Sequence, residues 1–83
     1  MAWHVWRVPR QLAPDPDLAT VLRRLRIERG ATQEALAYRS GITTGTLARI
    51  ELGQASPAWA TVRLIIAALD VSLVELAMAV ETK

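Results

Sequence analysis

The stretch from Thr32 to Gly53 holds the side chains whose types and spacing point to a chemical task. It predicts two short helices joined by a turn centred on Gly41, which is the layout of a helix-turn-helix that reads DNA. Apolar residues hold one face of the second helix to the core, whereas its outer face stays free to contact another molecule. The pattern therefore places the function on that outer face.

Local signals bound these two helices. Thr32 is expected to cap the first, because its hydroxyl can accept a backbone N–H, and Thr43 is expected to cap the second. Gly41 and Gly53 are expected to end them, since glycine tolerates the left-handed conformation of a tight helix exit. The residues predicted to face inward are Leu36, Ala37, Leu47 and Ile50.

A further helix is predicted before this pair, from about Asp17 to Arg29, with Gly30 ending it. Asp15 is its expected N-cap, and Pro16 occupies the first helical position, where proline is favoured. Its buried stripe follows the i, i+3, i+4, i+7 spacing and consists of Leu18, Val21, Leu22 and Leu25.

Two apolar helices are predicted after the pair, and no segment reads as a strand. Ser56 and Pro57 predict the start of the fourth helix as its cap and first residue. Trp59 is expected in the core. Apolar side chains cover nearly all sides of this helix, which is typical of one that is enclosed or shares a face with another chain. Ser72 and Glu75 fit a capping box that starts the fifth helix.

Composition limits the other function classes. Eighty-three residues make one small domain, and its apolar runs are too short to span a bilayer. There is no cysteine, and a lone histidine, His4, cannot build a zinc site, so no metal or other cofactor is expected. An enzyme is not expected, since no catalytic constellation or Gly-rich phosphate loop is visible. The N-terminus lacks a secretory signal pattern, which predicts a cytoplasmic, nucleoid-associated chain.

The charge distribution is uneven along the chain. Residues 1–63 carry nine arginines against five carboxylates, whereas residues 64–83 carry Lys83 against three carboxylates. The basic character of residues 1–63 suits a protein that binds phosphate groups with one side of its surface. The alternative interpretation is an ordinary solvated surface.

These motifs resemble the phage-repressor-like helix-turn-helix family, also called the Cro/C1 or xenobiotic-response-element type. The resemblance covers about residues 18–76 and rests on LRRLRIERGATQEALAYRSGITTGTLARIELGQASP and the ALDVSLVEL ending. It implies an all-α, five-helix lambda-repressor-like domain over residues 15–83, with the helix-turn-helix at about 32–53 and an N-terminal arm over 1–14. The family's spacing is matched by Gln33, Ala37, Gly41, Ile42, Leu47, Ile50, Glu51, Gly53 and Pro57.

The resemblance also implies site residues. Gln33 matches a family position that contacts a phosphate and supports the recognition helix, as the anion-binding character of a helix N-terminus allows. Arg26 and Glu51 match a partly buried ion pair that locks the first helix to the third. The positions that match the family's major-groove face are Thr43, Thr44, Gly45, Thr46 and Arg49.

Three more residues are candidates for phosphate contacts. Arg23 and Arg39 are either phosphate contacts or parts of solvated helix faces. Gln54 lies in the loop after the second helix, where backbone N–H groups commonly meet phosphate. Few direct contacts to bases are expected, because Gly45 lacks a side chain and Leu52 stands where the family often has a polar or basic residue. Specificity then rests on Arg49, on DNA shape or on the arm.

Self-association is the other expectation. The fifth helix carries apolar residues on more than one face, which favours a homodimer that binds a pseudo-palindromic double-stranded operator. In the arm, Trp3 and Trp6 are expected to pack on the domain or on a second subunit, whereas Arg7 and Arg10 can alternatively enter the minor groove. The predicted interface residues are Leu73, Val74, Leu76, Ala77, Val80, Trp3 and Trp6.

The chain is thus predicted to be a bacterial or phage transcriptional regulator of the repressor type that binds DNA and no membrane. Two alternatives remain open at this stage. One is the antitoxin half of a toxin–antitoxin pair, with a toxin as protein partner. The other is a protein-interaction module that kept the fold and lost DNA readout.

Overall fold

A computed structural model describes residues 14–82, which contain five α-helices and, within that range, no strand. This confirms the predicted all-α class. The expectations for Trp3, Trp6, Arg7 and Arg10 lie outside the described residues. The helices are α1 (Pro16–Glu28), α2 (Gln33–Ser40), α3 (Thr44–Glu51), α4 (Trp59–Ala68) and α5 (Leu73–Glu81).

Side-chain caps were predicted for all five helices, and four of them are present at the predicted residues. The Asp15 carboxylate accepts the backbone N–H of Asp17 at 2.9 Å, and Pro16 is the first residue of α1. At the start of α2, α3 and α5, a side-chain hydroxyl oxygen accepts the backbone N–H of the residue three positions later. These caps, each at 3.0 Å, are Thr32 for α2, Thr43 for α3 and Ser72 for α5.

The predicted start of α4 is wrong. The helix begins at Trp59, and Ala58 occupies the N-cap position without a side-chain hydrogen bond. The backbone is still extended at Ala58, with a ψ of 155°, so neither Ser56 nor Pro57 has entered the helix. Ala55 packs against the core just before this point, and residues 56–58 then connect to α4 without regular secondary structure.

Three glycines end helices as predicted. Gly30, Gly41 and Gly53 follow α1, α2 and α3 with φ values of 69°, 75° and 73°. Asp70 takes the same left-handed conformation after α4, with a φ of 57°. These turns let the helices reverse within a few residues.

The core lies where α1, α2, α3 and α4 meet, and α5 packs on α1 and α4. α2 contacts both α3 and α4, so it anchors the helix-turn-helix to the rest of the domain. None of the described helices is long and apolar enough to cross a bilayer. The largest fully buried side chains are Leu22, Leu36, Leu47, Ile65 and Val21.

Trp59 lies outside this core, contrary to the prediction. Its side chain is 59% exposed, and Leu64 on the same helix is also exposed. The core face of α4 is formed instead by Val62, Ile65 and Ile66. α4 therefore carries exposed apolar side chains outside its core face.

Candidate nucleic-acid interface

The outer face of α3 is available for contact along its whole length. Leu47 and Ile50 are buried and attach the helix to the core. Gly45 and Arg49 are exposed one turn apart, and the exposed Leu52 extends the same face at the C-cap. Thr44 is exposed at the first helical position. The structure therefore presents a short helix with one free face, as the sequence pattern indicates.

Two of the predicted positions, Thr43 and Thr46, form the N-terminal cap of α3. The Thr43 hydroxyl accepts the Thr46 backbone N–H at 3.0 Å and donates to Thr46 Oγ1 at 2.8 Å. Thr44 Oγ1 has no hydrogen bond within residues 14–82, and its side chain is exposed. Thr44 is therefore better placed than Thr43 or Thr46 to bond a ligand, since its hydroxyl keeps its full hydrogen-bonding capacity.

Gly45 is not required by the fold. A Cβ atom built at this position meets nothing within 4 Å, and the residue lies in regular helix with no positive φ. The glycine thus leaves a shallow gap near the N-terminal end of the exposed face. Its role concerns the surface of α3 and not the packing beneath it.

A buried polar cluster fixes the end of α3 to the rest of the domain. Arg26 Nε donates to Glu51 Oε2 at 2.8 Å, and Arg26 Nη2 donates to Glu51 Oε1 at 3.0 Å. Arg26 Nη1 also donates to the Ala31 carbonyl oxygen at 2.9 Å. This is the ion pair that the resemblance implies, and the Glu51 side chain is only 1% exposed. Its bidentate geometry is that of the stronger Arg–carboxylate pairs.

Gln33 belongs to the same cluster. Its Nε2 donates to Glu51 Oε1 at 3.0 Å, so the side chain ties the start of α2 to the end of α3. Gln33 therefore supports α3 directly. The phosphate contact implied by the resemblance remains a prediction, to be made by its exposed part and by the N-terminal amides of α2.

The remaining predicted phosphate contacts differ in their surroundings. Arg23 on α1 and Arg39 in the last turn of α2 are exposed and lack an ion pair within residues 14–82. The Gln54 backbone N–H donates to the Arg49 carbonyl oxygen at 2.8 Å. That N–H is used to end α3, so the phosphate contact predicted for Gln54 stays a prediction for its exposed side chain alone.

A second exposed surface lies on α4 and α5. Of the predicted interface residues, Leu73, Val74 and Ala77 are exposed, and Val80 is half-buried against the core. Leu76 is a correction, because it is 4% exposed and belongs to the core of a single chain.

The predicted interface left out three exposed apolar residues of α4 and α5, which are Trp59, Leu64 and Met78. The apolar character of α4 on nearly all sides was the signal that could have found the two α4 residues. Among residues 14–82, no group of three or more acidic, histidine or cysteine side chains is arranged to hold a metal ion.

Comparison with known proteins identifies the domain. The model of a helix-turn-helix domain family matches residues 17–79. The structure is similar to the wild-type restriction-modification controller protein C.Esp1396I, at 28% identity and a TM-score of 0.78, over 81% of this chain and 86% of that chain. A controller protein from Aeromonas hydrophila, C.AhdI, is 31% identical with a TM-score of 0.71, over 74% of this chain and 92% of that one.

One similar structure contains DNA. It is the C.Esp1396I tetramer in complex with its natural 35 base-pair operator, with a TM-score of 0.78 at 28% identity, over 81% of this chain and 88% of that chain. No curated protein matches the chain. The family match covers most of the chain and includes both helices of the predicted motif, and the chain therefore belongs to the phage-repressor-like, Cro/C1-type helix-turn-helix family.

Proposed function

We propose that this protein is a sequence-specific DNA-binding transcriptional regulator that acts as a homodimer. The main support for this proposal is the contrast between the two faces of α3. Its inner face is fixed by apolar packing and by the buried Glu51 cluster, whereas Thr44, Gly45 and Arg49 stand free on the outer face. A rigidly held helix with a free polar face is what base readout requires.

The dimensions of α3 fit the major groove. With its side chains an α-helix is about 10–12 Å across, which matches the width of that groove, and the eight residues of α3 give it a length of about 12 Å. Arg49 can donate two hydrogen bonds to a guanine edge, and Thr44 can bond a base or contact a thymine methyl. Arg23, Arg39 and Gln33 then supply sequence-independent phosphate contacts around α3.

Few side chains are available for direct readout, so we infer that DNA shape contributes to specificity. The gap at Gly45 lets the helix backbone approach the floor of the groove closely. A contact of this kind depends on groove geometry and deformability as well as on base identity.

Dimeric binding follows from the small size of one recognition surface. A single eight-residue helix contacts few base pairs, whereas a two-fold pair contacts two half-sites one helical turn apart. The exposed apolar side chains of α4 and α5 offer the surface for such pairing. We place the regulator in the cytoplasm with the chromosomal DNA, where its role requires no catalytic residue.

Selection from fragmented genomic DNA tests the proposal. The wild-type protein should retain a few sites with two-fold symmetry at about 0.15 M salt, near physiological ionic strength. Arg49→Ala should lose the preference for these sites, and Arg24→Ala, an exposed arginine paired at 3.7 Å with Glu28, should keep it. Uniform retention of all fragments by the wild-type protein would overturn sequence-specific regulation.

A further inference from the structure

The surface of α4 and α5 contains an apolar groove beside a projecting aromatic side chain. Trp59 stands at the edge of this groove, mostly exposed at the start of α4. Leu73 and Ala77 of α5 form its exposed floor. The lining residues are Trp59, Leu73, Leu76, Ala77, Val80 and Glu81.

This surface has the two features that a self-complementary interface needs. An isologous two-fold interface uses the same patch on both subunits, so it must contain both a projection and a recess that receives it. The exposed Trp59 side chain can serve as the projection, and the groove that it helps to line can serve as the recess. A large aromatic side chain in an apolar pocket is the usual anchor of a stable interface. A second copy of this chain is therefore the occupant that the surface fits.

Two charged side chains without an ion pair among the described residues lie beside the groove, one on α4 and one on α5. Arg63 lies one turn after Trp59 on α4, in an adjoining recess also lined by Trp59 and Leu73. Glu81 lies at the end of α5 and lines the groove itself. Neither side chain has an ion pair within residues 14–82. Their charges are opposite, and both side chains are exposed.

We propose that in the dimer Trp59 of each subunit enters the groove of the other, and that Arg63 pairs with the partner's Glu81. Since Arg63 is four residues from Trp59, it projects from the same helix face about one turn away. With Trp59 seated in the opposite groove, Arg63 would face the rim that the partner's Glu81 occupies. Two-fold symmetry makes this contact twice.

The ion pairs would select the partner more than they strengthen the dimer. Charges at the rim of an interface add little affinity, but like charges placed opposite each other are strongly rejected. The pairing would thus favour a second copy of this chain over a similar domain with a different charge arrangement. This inference rests on the dimer in the proposed function and specifies its geometry.

A charge-swap experiment tests the pairing. Arg63→Glu and Glu81→Arg, each alone, place like charges at both contacts, so each should weaken self-association on the order of tenfold or more. An equimolar mixture of the two variants forms two opposite-charge contacts and should recover a heterodimer of near wild-type affinity. Sedimentation equilibrium, with one variant carrying a mass tag, distinguishes these species.

The controls separate this inference from the wider proposal. Arg23→Glu changes an exposed arginine on α1 and should leave self-association unchanged, and circular dichroism should show every variant folded. If the wild-type protein dimerises but the mixture associates no better than either variant alone, the pairing of Arg63 with the partner's Glu81 is wrong. The proposed function as a dimeric regulator is unaffected by that result. If the wild-type protein is monomeric at concentrations that bind DNA, both the pairing and the proposed homodimer are wrong.

Discussion

Gln33 Nε2 donates a hydrogen bond to Glu51 Oε1 at 3.0 Å, which joins the first residue of α2 to the last residue of α3. Arg26 reaches the same carboxylate from α1 with two further hydrogen bonds. A single buried carboxylate thus fixes three helices relative to one another, directly beneath the face proposed to read DNA. Stability and recognition are therefore coupled at Glu51.

Replacing Glu51 with alanine should lower the free energy of unfolding by about 3–5 kcal/mol, because it leaves the Arg26 guanidinium poorly paired in a low-dielectric site. Urea denaturation followed by circular dichroism measures this. Glu28→Ala removes an exposed carboxylate that lies 3.7 Å from Arg24 and should have little effect. Similar unfolding curves for the two variants would show that the cluster does not stabilise the fold.

Arg49 and Arg39 should affect DNA binding in different ways. Arg49→Ala should reduce discrimination at one base pair of each half-site by about 1–3 kcal/mol, because it removes a base contact. Arg39→Ala should weaken binding to all sequences about equally and lower the salt slope by about one, because it removes a phosphate contact. Fluorescence anisotropy with matched and mismatched duplexes distinguishes the two. Unchanged discrimination in the Arg49 variant would remove this residue from the reading surface.

Gly45→Ala should stabilise the protein and weaken its DNA binding. The site has room for a Cβ and lies in regular helix, so the gain in helix propensity should be about 1 kcal/mol. If the gap admits close approach to the groove floor, the added methyl group should raise the Kd for the selected operator. Thermal unfolding and anisotropy test the two effects. An alanine variant with unchanged Kd would show that DNA does not approach α3 at this position.

Much of this architecture follows from local sequence signals. Asp15, Thr32, Thr43 and Ser72 mark helix starts because a short oxygen-bearing side chain satisfies backbone N–H groups within a few residues of itself. The start of α4 did not follow from Ser56 and Pro57, because the backbone is still extended at Ala58 and the helix begins only at Trp59.

The site was predicted less completely than the fold. The positions on α3 follow from helical periodicity, and the Arg26–Glu51 pair follows from the family resemblance, but the other hydrogen-bond partners do not. The bond between Gln33 and Glu51 joins residues far apart in the chain, and the use of the Gln54 N–H to end α3 depends on the turn formed there. Trp59 was misplaced because an apolar residue at the end of a helix can face either the core or a second chain.

Two serine substitutions should change stability in opposite directions. Ser40 is buried in α2, and its hydroxyl has no hydrogen-bond partner among the described residues. Ser40→Ala should therefore raise the free energy of unfolding by about 1 kcal/mol. Ser72→Ala should lower it by about 1 kcal/mol, because the Ser72 hydroxyl caps α5 at 3.0 Å. Chemical denaturation measures both, and a destabilised Ser40 variant would show that its hydroxyl is satisfied in solution.

The most direct test of the central claim is a dimethyl sulfate footprint on the highest-affinity site from the genomic selection. Methylation of guanine N7 reports the major groove, and methylation of adenine N3 reports the minor groove. We expect N7 protection in two half-sites whose centres lie about 10 base pairs apart, because a two-fold pair of α3 helices enters successive major grooves on one face of the duplex. Protection confined to adenine N3, or to a single half-site, would contradict DNA readout by a dimer through α3.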